Sequence, residues 1–418
     1  MSTRPKRPRS PSPGGDEPSI RPKRAFEPPT PIDSLQDFAS DLKKTVQKVL
    51  PTGGRRYDQA AVLAITFSES DIEGIYPLRD ELLKVFQNQY NWVIETHVID
   101  VNLPHQLALL RLNNVVANFL TSYASQSQDS TSLSCIYYSG HGFMNKRRGL
   151  TICSKFNGSE PSQPYLHWDQ LKDLGHMFSS FPTDHRLLLL DCCAAGLGGL
   201  DQNIELLGAS SWESNAPANP QASFTRALID ELNSAHGAPI SITQLVAKFH
   251  TRKSVQLGRS TPVYRPAGKD TTPALIHRIE KTPQPSSPQV APAPAHAHVL
   301  ISVTVKKENS VPKLTQWAEW LKSNLPPYIG EIDIVAKWKT GSATVIFVLP
   351  IEIWLALPDN GAYSFVSYHY MWDSADARRR HAAALEPQEM RHASVQEQGP
   401  LPRMRHGNIP PPGRPHDK

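Results

Sequence analysis

The string RLLLLDCCAAG, residues 186–196, constrains this chain more than any other. Four consecutive leucines leave no polar face, which suits neither an amphipathic helix nor a half-buried strand. They suit a strand that is apolar on both faces, the kind found at the centre of a mostly parallel sheet. The run ends in Asp191, Cys192 and Cys193, followed by Ala194, Ala195 and Gly196. Reactive groups in open α/β sheets gather at the carboxyl ends of the strands. Either the two cysteines are small apolar filler, or one of them is a nucleophile.

The flanking pattern supports such a sheet. Short apolar runs at 60–67, 92–99, 133–140, 148–154 and 260–268 read as strands. Amphipathic stretches at 76–89, 105–123, 167–181, 222–235 and 241–255 read as helices. The alternation predicts an α/β fold, a three-layer α/β/α sandwich on a mostly parallel sheet, across 57–275. Upstream, Leu35, Phe38, Leu42, Val46 and Val49 share one face of a helix over 34–50. That face either packs on a domain or recruits a partner, and 34–56 reads as helix plus linker. Proline (38 residues, against 23 glycines) is concentrated at the ends and in linkers. It marks 1–33 as a disordered basic tail, 276–297 as a Pro/Ala/Ser linker and 373–418 as a second disordered tail. Between the last two, 298–372 reads β-α-β-β-α-β, a small α+β ferredoxin-like domain with strands at 298–305, 329–338, 342–350 and 362–370 and helices at 311–325 and 351–357. Its Trp317, Trp320, Trp338 and Trp354 read as packing residues.

Several function classes are excluded. The net charge of +5 is small and much of it lies in the tails, so no nucleic-acid partner is expected. The longest apolar stretch, 343–357, is interrupted by Pro350 and Glu352 and is too short to span a bilayer. The basic, proline-rich start is not a secretory signal. Four cysteines without zinc or disulfide spacing point to a reducing interior, the cytoplasm. Two Arg-Pro-Lys-Arg tetrads, at 4–7 and 21–24, fit either a bipartite nuclear-import signal or a solvated basic tail.

The predicted strand over 133–140 ends YYSGHG and sets His141 between Gly140 and Gly142; Cys193 follows His141 by 52 residues. A thiol becomes a good nucleophile once a neighbouring imidazole takes its proton. The backbone amides of Gly142 and Cys193 are natural oxyanion donors, one beside each reactive group.

Tyr138-Ser139-Gly140-His141-Gly142, together with Asp191, Cys193 and Gly196, resembles the two motifs of the caspase-like cysteine peptidases. The likeness is to the metacaspase branch, fungal caspase-domain proteins in particular, and it covers about residues 57–275; ASFTRALIDEL (222–232) is similar to the segment after the nucleophile loop in those domains. The resemblance implies a caspase-like sheet and an endopeptidase acting on protein or peptide substrates. It implies His141 and Cys193 as the catalytic dyad, with Cys192 as a packed neighbour. Asp191 takes the place of the acid in the primary specificity pocket, which implies cleavage after Arg or Lys. Asp80 is the nearest fit to a second pocket acid and fits an exposed helix charge equally well. No cofactor is implied. Many metacaspases bind calcium through clustered aspartates, but Glu160, Asp169, Asp173 and Asp184 are well separated, so no metal site is expected. Ala194-Ala195 departs from the family's His-Ser. The C-terminal domain is similar to small regulatory or partner-binding domains at the ends of such proteins. A catalytically weak scaffold that binds partners is the alternative to an enzyme.

Residues 194–225 contain no Lys or Arg, whereas Lys146-Arg147-Arg148 follows His141 closely. A site selective for basic residues therefore leaves the chain intact or nicks it near 146–148. Mass spectrometry after incubation should find no Cys193-dependent cut within 197–222.

Overall fold

The computed structural model describes residues 30–49, 56–124, 130–157, 160–171, 184–198, 204–210, 223–250, 262–268, 271–280, 297–306, 319–320, 323, 332–339 and 343–370. After α1 (Leu35–Val49) come β1 (Gln59–Phe67), α2 (Ile75–Tyr90), β2 (Val93–Ile99), α3 (His105–Ser122) and β3 (Ser132–Ser139). A small three-stranded sheet follows, made of β4 (His141–Met144), β5 (Leu150–Cys153) and β6 (Leu166–His167). Then come β7 (Asp184–Asp191), β8 (Glu205–Gly208), α4 (Phe224–Ala235), α5 (Ile242–Phe249) and β9 (Val263–Arg265).

Six of these strands form one sheet in the order β9-β8-β7-β3-β1-β2. Every pairing is parallel except β8 with β9. The side-chain alternation explains why both faces are covered. Ala60, Val62 and Ala64 join Tyr137, Leu187 and Leu189 in a core closed by α2, α4 and α5. Ala61, Leu63, Ile65 and Phe67 join Leu188 and Leu190 in a second core closed by α3. The leucine run thus feeds both cores in turn, as a central parallel strand must. From β1 the chain moves outward to β2, whereas from β3 it moves the other way to β7. The loops leaving β1 and β3 therefore part, and a crevice opens between them at the carboxyl edge of the sheet.

Three local expectations change. The helix over 167–181 does not begin at His167, because Leu166 and His167 pair with Ile152 and Thr151. Trp168–Leu171 then make a single 3-10 turn, with Trp168 buried near Tyr138. The rest of that stretch lies outside the described residues. β8 is a fully buried four-residue strand, too short to stand out as a periodic pattern. The edge strand expected over 260–268 is only Val263–Arg265 and runs antiparallel.

The second sheet comprises β10 (Ala297–Val305), β11 (Asp333–Lys339), β12 (Ala343–Pro350) and β13 (Tyr363–Tyr370), with α6 (Ile351–Ala356) between the last two strands. Its order is β11-β12-β10-β13, antiparallel throughout. Val299, Ile301, Val303, Phe347 and Leu349 line its inner face, and α1 covers it with Leu35, Phe38, Leu42 and Val46. The Phe38 ring lies 4.7 Å from Phe347 and 5.3 Å from Tyr363, and the Tyr363 hydroxyl donates to Asp41 at 2.9 Å. An isolated fifteen-residue helix is marginal in water, so this burial is what holds α1. Trp320 and Trp354 pack against the same core. The side chains of Trp317 and Trp338 lie outside the described residues, as do the helix over 311–325 apart from 319, 320 and 323, most of the 276–297 linker and both tails apart from residues 30–33. α5 packs on α6, Ala247 enters the core between α1 and the second sheet, and His250 stacks on Tyr368 at 4.7 Å. No helix of the described residues is long and apolar enough to cross a membrane.

Glu205 opens β8, far from the carboxyl edge, and is 3% exposed. Burial raises its carboxyl to about 7, although the Ala274 N–H (2.7 Å) and the Tyr264 hydroxyl (2.8 Å) donate to its two oxygens. A carboxyl raised from 4.5 to about 7 on folding gives its full stability below pH 4.5 and loses it as the pH rises through 7. Glu205→Gln should therefore match the wild type at pH 4.5 and gain on it by up to about 3 kcal/mol at pH 8, as read from chemical denaturation across that range.

Candidate active site

β3 and β7 run side by side in parallel, and their register pairs Ser139 with Asp191. The Gly140 N–H continues the ladder by donating to the Asp191 carbonyl at 3.2 Å. His141 and Cys193 each stand two residues past that paired step. The register thus brings both to one level of the carboxyl edge.

Beyond this point the strands diverge. His141 starts β4, which turns back to pair with β5, His141 opposite Cys153. The buried Tyr138 hydroxyl donates to the His141 carbonyl at 2.8 Å and fixes the bend. A Cβ on Gly142 would lie 2.5 Å from the Cys193 carbonyl oxygen and 2.9 Å from the Cys192 sulfur. Only glycine leaves room for the chain after His141 to approach the Cys193 carbonyl this closely.

The cysteine loop is tied down from the other side. The Ser210 hydroxyl donates to the Cys192 carbonyl at 3.1 Å, and the Gly196 N–H donates to the Ser210 carbonyl at 3.0 Å. Ala194 has φ 56°, a left-handed conformation that costs a residue with a Cβ about 1–2 kcal/mol. Ala195 is fully buried against Gly208, so the Ala-Ala pair is packed, with strain confined to the residue after Cys193. Cys135, Cys153 and Cys192 are buried; Cys193 is partly exposed. Burial pushes the Cys192 thiol well above the ordinary range and Cys153 up to about 12. Neither forms thiolate readily near neutral pH.

His141 is held on two further sides. Its Nε2 lies 2.5 Å from Asp71 Oδ1, and Phe156 stands edge-on to the ring at 5.2 Å. Asp71 escaped the sequence reading. The signal was SESDIEG (68–74), an acidic cluster directly after β1 and hence at the carboxyl edge of the sheet.

The predicted pocket acids part company. Asp191 Oδ2 accepts from the Thr225 N–H (3.1 Å) and hydroxyl (2.5 Å) in the first turn of α4. Burial raises its carboxyl, and these two bonds partly offset that. Asp80 is half exposed and ion-paired to Arg79 at 2.7 Å, the position of an exposed helix charge. Arg79 in turn donates to Thr66 at 2.9 Å. Thr66, Phe67, Ser70, Tyr76, Ser139 and Cys153 surround a small depression beside Gly140 with no room for a buried ligand. Lys146, Arg147 and Arg148 form the exposed tip of the β4–β5 turn, where Asn145 Oδ1 accepts from Arg147 and Gly149. Arg226 is held within α4 by a two-pronged contact with Glu81 at 2.8 and 2.6 Å. Among the described residues no three His, Cys, Asp or Glu side chains converge as a metal site requires.

In comparison with known proteins, no family model and no curated protein matches the chain. The contact at Gly142 is the site's most direct test: Gly142→Ala should lower stability by about 1–3 kcal/mol, read as a drop in Tm, because the new methyl meets a fixed backbone carbonyl.

Proposed function

We propose that this chain is a cysteine endopeptidase of caspase-like architecture. One observation carries the reading: the β3–β7 register sets His141 and Cys193 at matching positions past one paired step, and Cys193 is the one of the four cysteines that is not buried. The strand order of the first sheet and its cover of helices on both faces support the three-layer caspase-like sandwich. The β11-β12-β10-β13 order is the one a β-α-β-β-α-β ferredoxin-like unit adopts, which supports that reading of the C-terminal sheet.

In this mechanism the Cys193 thiol gives its proton to His141 and the thiolate attacks the scissile carbonyl. The Gly142 and Cys193 amides stabilise the oxyanion. The imidazolium then protonates the leaving amine, and water hydrolyses the thioester. Asp191 is the group that selects Arg or Lys. A second reading, a scaffold of weak activity, draws on the commitment of Asp191 to α4 and the strained Ala194.

Peptide reporters with Arg, Lys or Asp before the scissile bond separate the two. The peptidase turns over the Arg and Lys reporters, and Cys193→Ala abolishes this. Asp191→Asn keeps an acceptor for Thr225 but removes the charge, and lowers kcat/KM on those reporters at least about tenfold. A folded wild-type chain that turns over no reporter favours the scaffold.

A further inference from the structure

Asp71 stands outside the two motifs, in the segment between β1 and α2, yet its carboxylate meets the ring of His141. Oδ1 lies 2.5 Å from Nε2, with the Asp71 side chain 49% exposed and that of His141 22%. The other acid of the segment that reaches a partner here, Glu69, is paired with Lys155 at 3.2 Å. Phe156 covers one side of the imidazole, and Tyr138 holds the residue's own carbonyl. The ring is therefore constrained at its tip, its side and its root.

We propose that Asp71 is a positioning residue that clamps His141 by Nε2 and thereby chooses the nitrogen that faces the thiol. An ionised carboxylate only accepts hydrogen bonds, so Nε2 in this contact carries the proton. A neutral imidazole has one N–H, so Nδ1 keeps its lone pair and becomes the base. The S–H bond of Cys193 breaks, its proton forms a bond to Nδ1, and the resulting imidazolium keeps its Nε2 proton on Asp71. The Nδ1 proton later passes to the leaving amine, so the ring returns to its starting tautomer. A base oriented by a third group is the general logic of activated nucleophiles; here the third group is an acid from the loop after β1. The catalytic consequence rests on the peptidase reading, whereas the clamp is measurable without turnover.

The test uses the full chain with Asp71→Ala and Asp71→Glu. Nitrogen-15 NMR of His141, in the wild type and in Cys193→Ala, reports which ring nitrogen is protonated. The Nε2–H tautomer is expected in both, with its proton far downfield, and Asp71→Ala should lose that signal and populate Nδ1–H. On peptide reporters Asp71→Ala should lower kcat on the order of a hundredfold with KM little changed, and Asp71→Glu should restore part of it. Asp71 is half exposed, so an unchanged melting curve separates this loss from misfolding. A wild-type His141 protonated at Nδ1, or an Asp71→Ala chain with kcat within twofold of wild type, overturns the proposal. A chain without turnover whose His141 tautomer still depends on Asp71 upholds the clamp and overturns the peptidase reading.

Discussion

The parallel pairing of β3 with β7 is the constraint on which the rest depends, and its register needs explaining. A strand with a polar face is held in register because a slip of one residue turns that face into the core. Leu187 to Leu190 offer no such penalty, since both faces are apolar. The polar ties at the carboxyl end supply it instead. The Asp191 carbonyl accepts from Gly140 while its carboxylate caps α4 through Thr225. Ser210 holds the Cys192 carbonyl, and Tyr138 holds that of His141. The groups that bring histidine and cysteine together are thus also the groups that tell an otherwise slippery strand where to stop.

Asp191 consequently has two demands on one carboxyl group. As an anchor it is buried and bonded to the first turn of a helix, where the partial positive charge favours an anion. In the proposed peptidase the same carboxylate presents negative charge to the substrate. Burial raises its proton affinity on balance, and the two Thr225 bonds offset only part of that, so the helix works toward the charged form against the burial that anchors it.

Much of this was legible in the sequence because it depends on local pattern. The leucine run gave away the central strand, and YYSGHG set His141 directly after a predicted strand. The close approach of Gly142 to the Cys193 carbonyl joins residues 51 positions apart and carried no local signal. What stayed hidden depends on distant partners. Asp71 and His141 are seventy positions apart and share no motif. β8 is too short to carry a period, and its burial comes from β7 and β9 on either side. The amphipathic face of α1 was plain, but a helix face does not name the surface it covers, and here that surface is the C-terminal sheet.

That last arrangement has a consequence for biosynthesis. α1 leaves the ribosome well before β10, a strand of the sheet it covers, which begins some 250 residues later. At roughly 5–20 residues per second, its apolar face waits on the order of tens of seconds without a partner. The first sheet is complete in that interval and the second is not. The C-terminal sheet covers its inner face with a helix made long before it, so two segments far apart in the chain close into a single core.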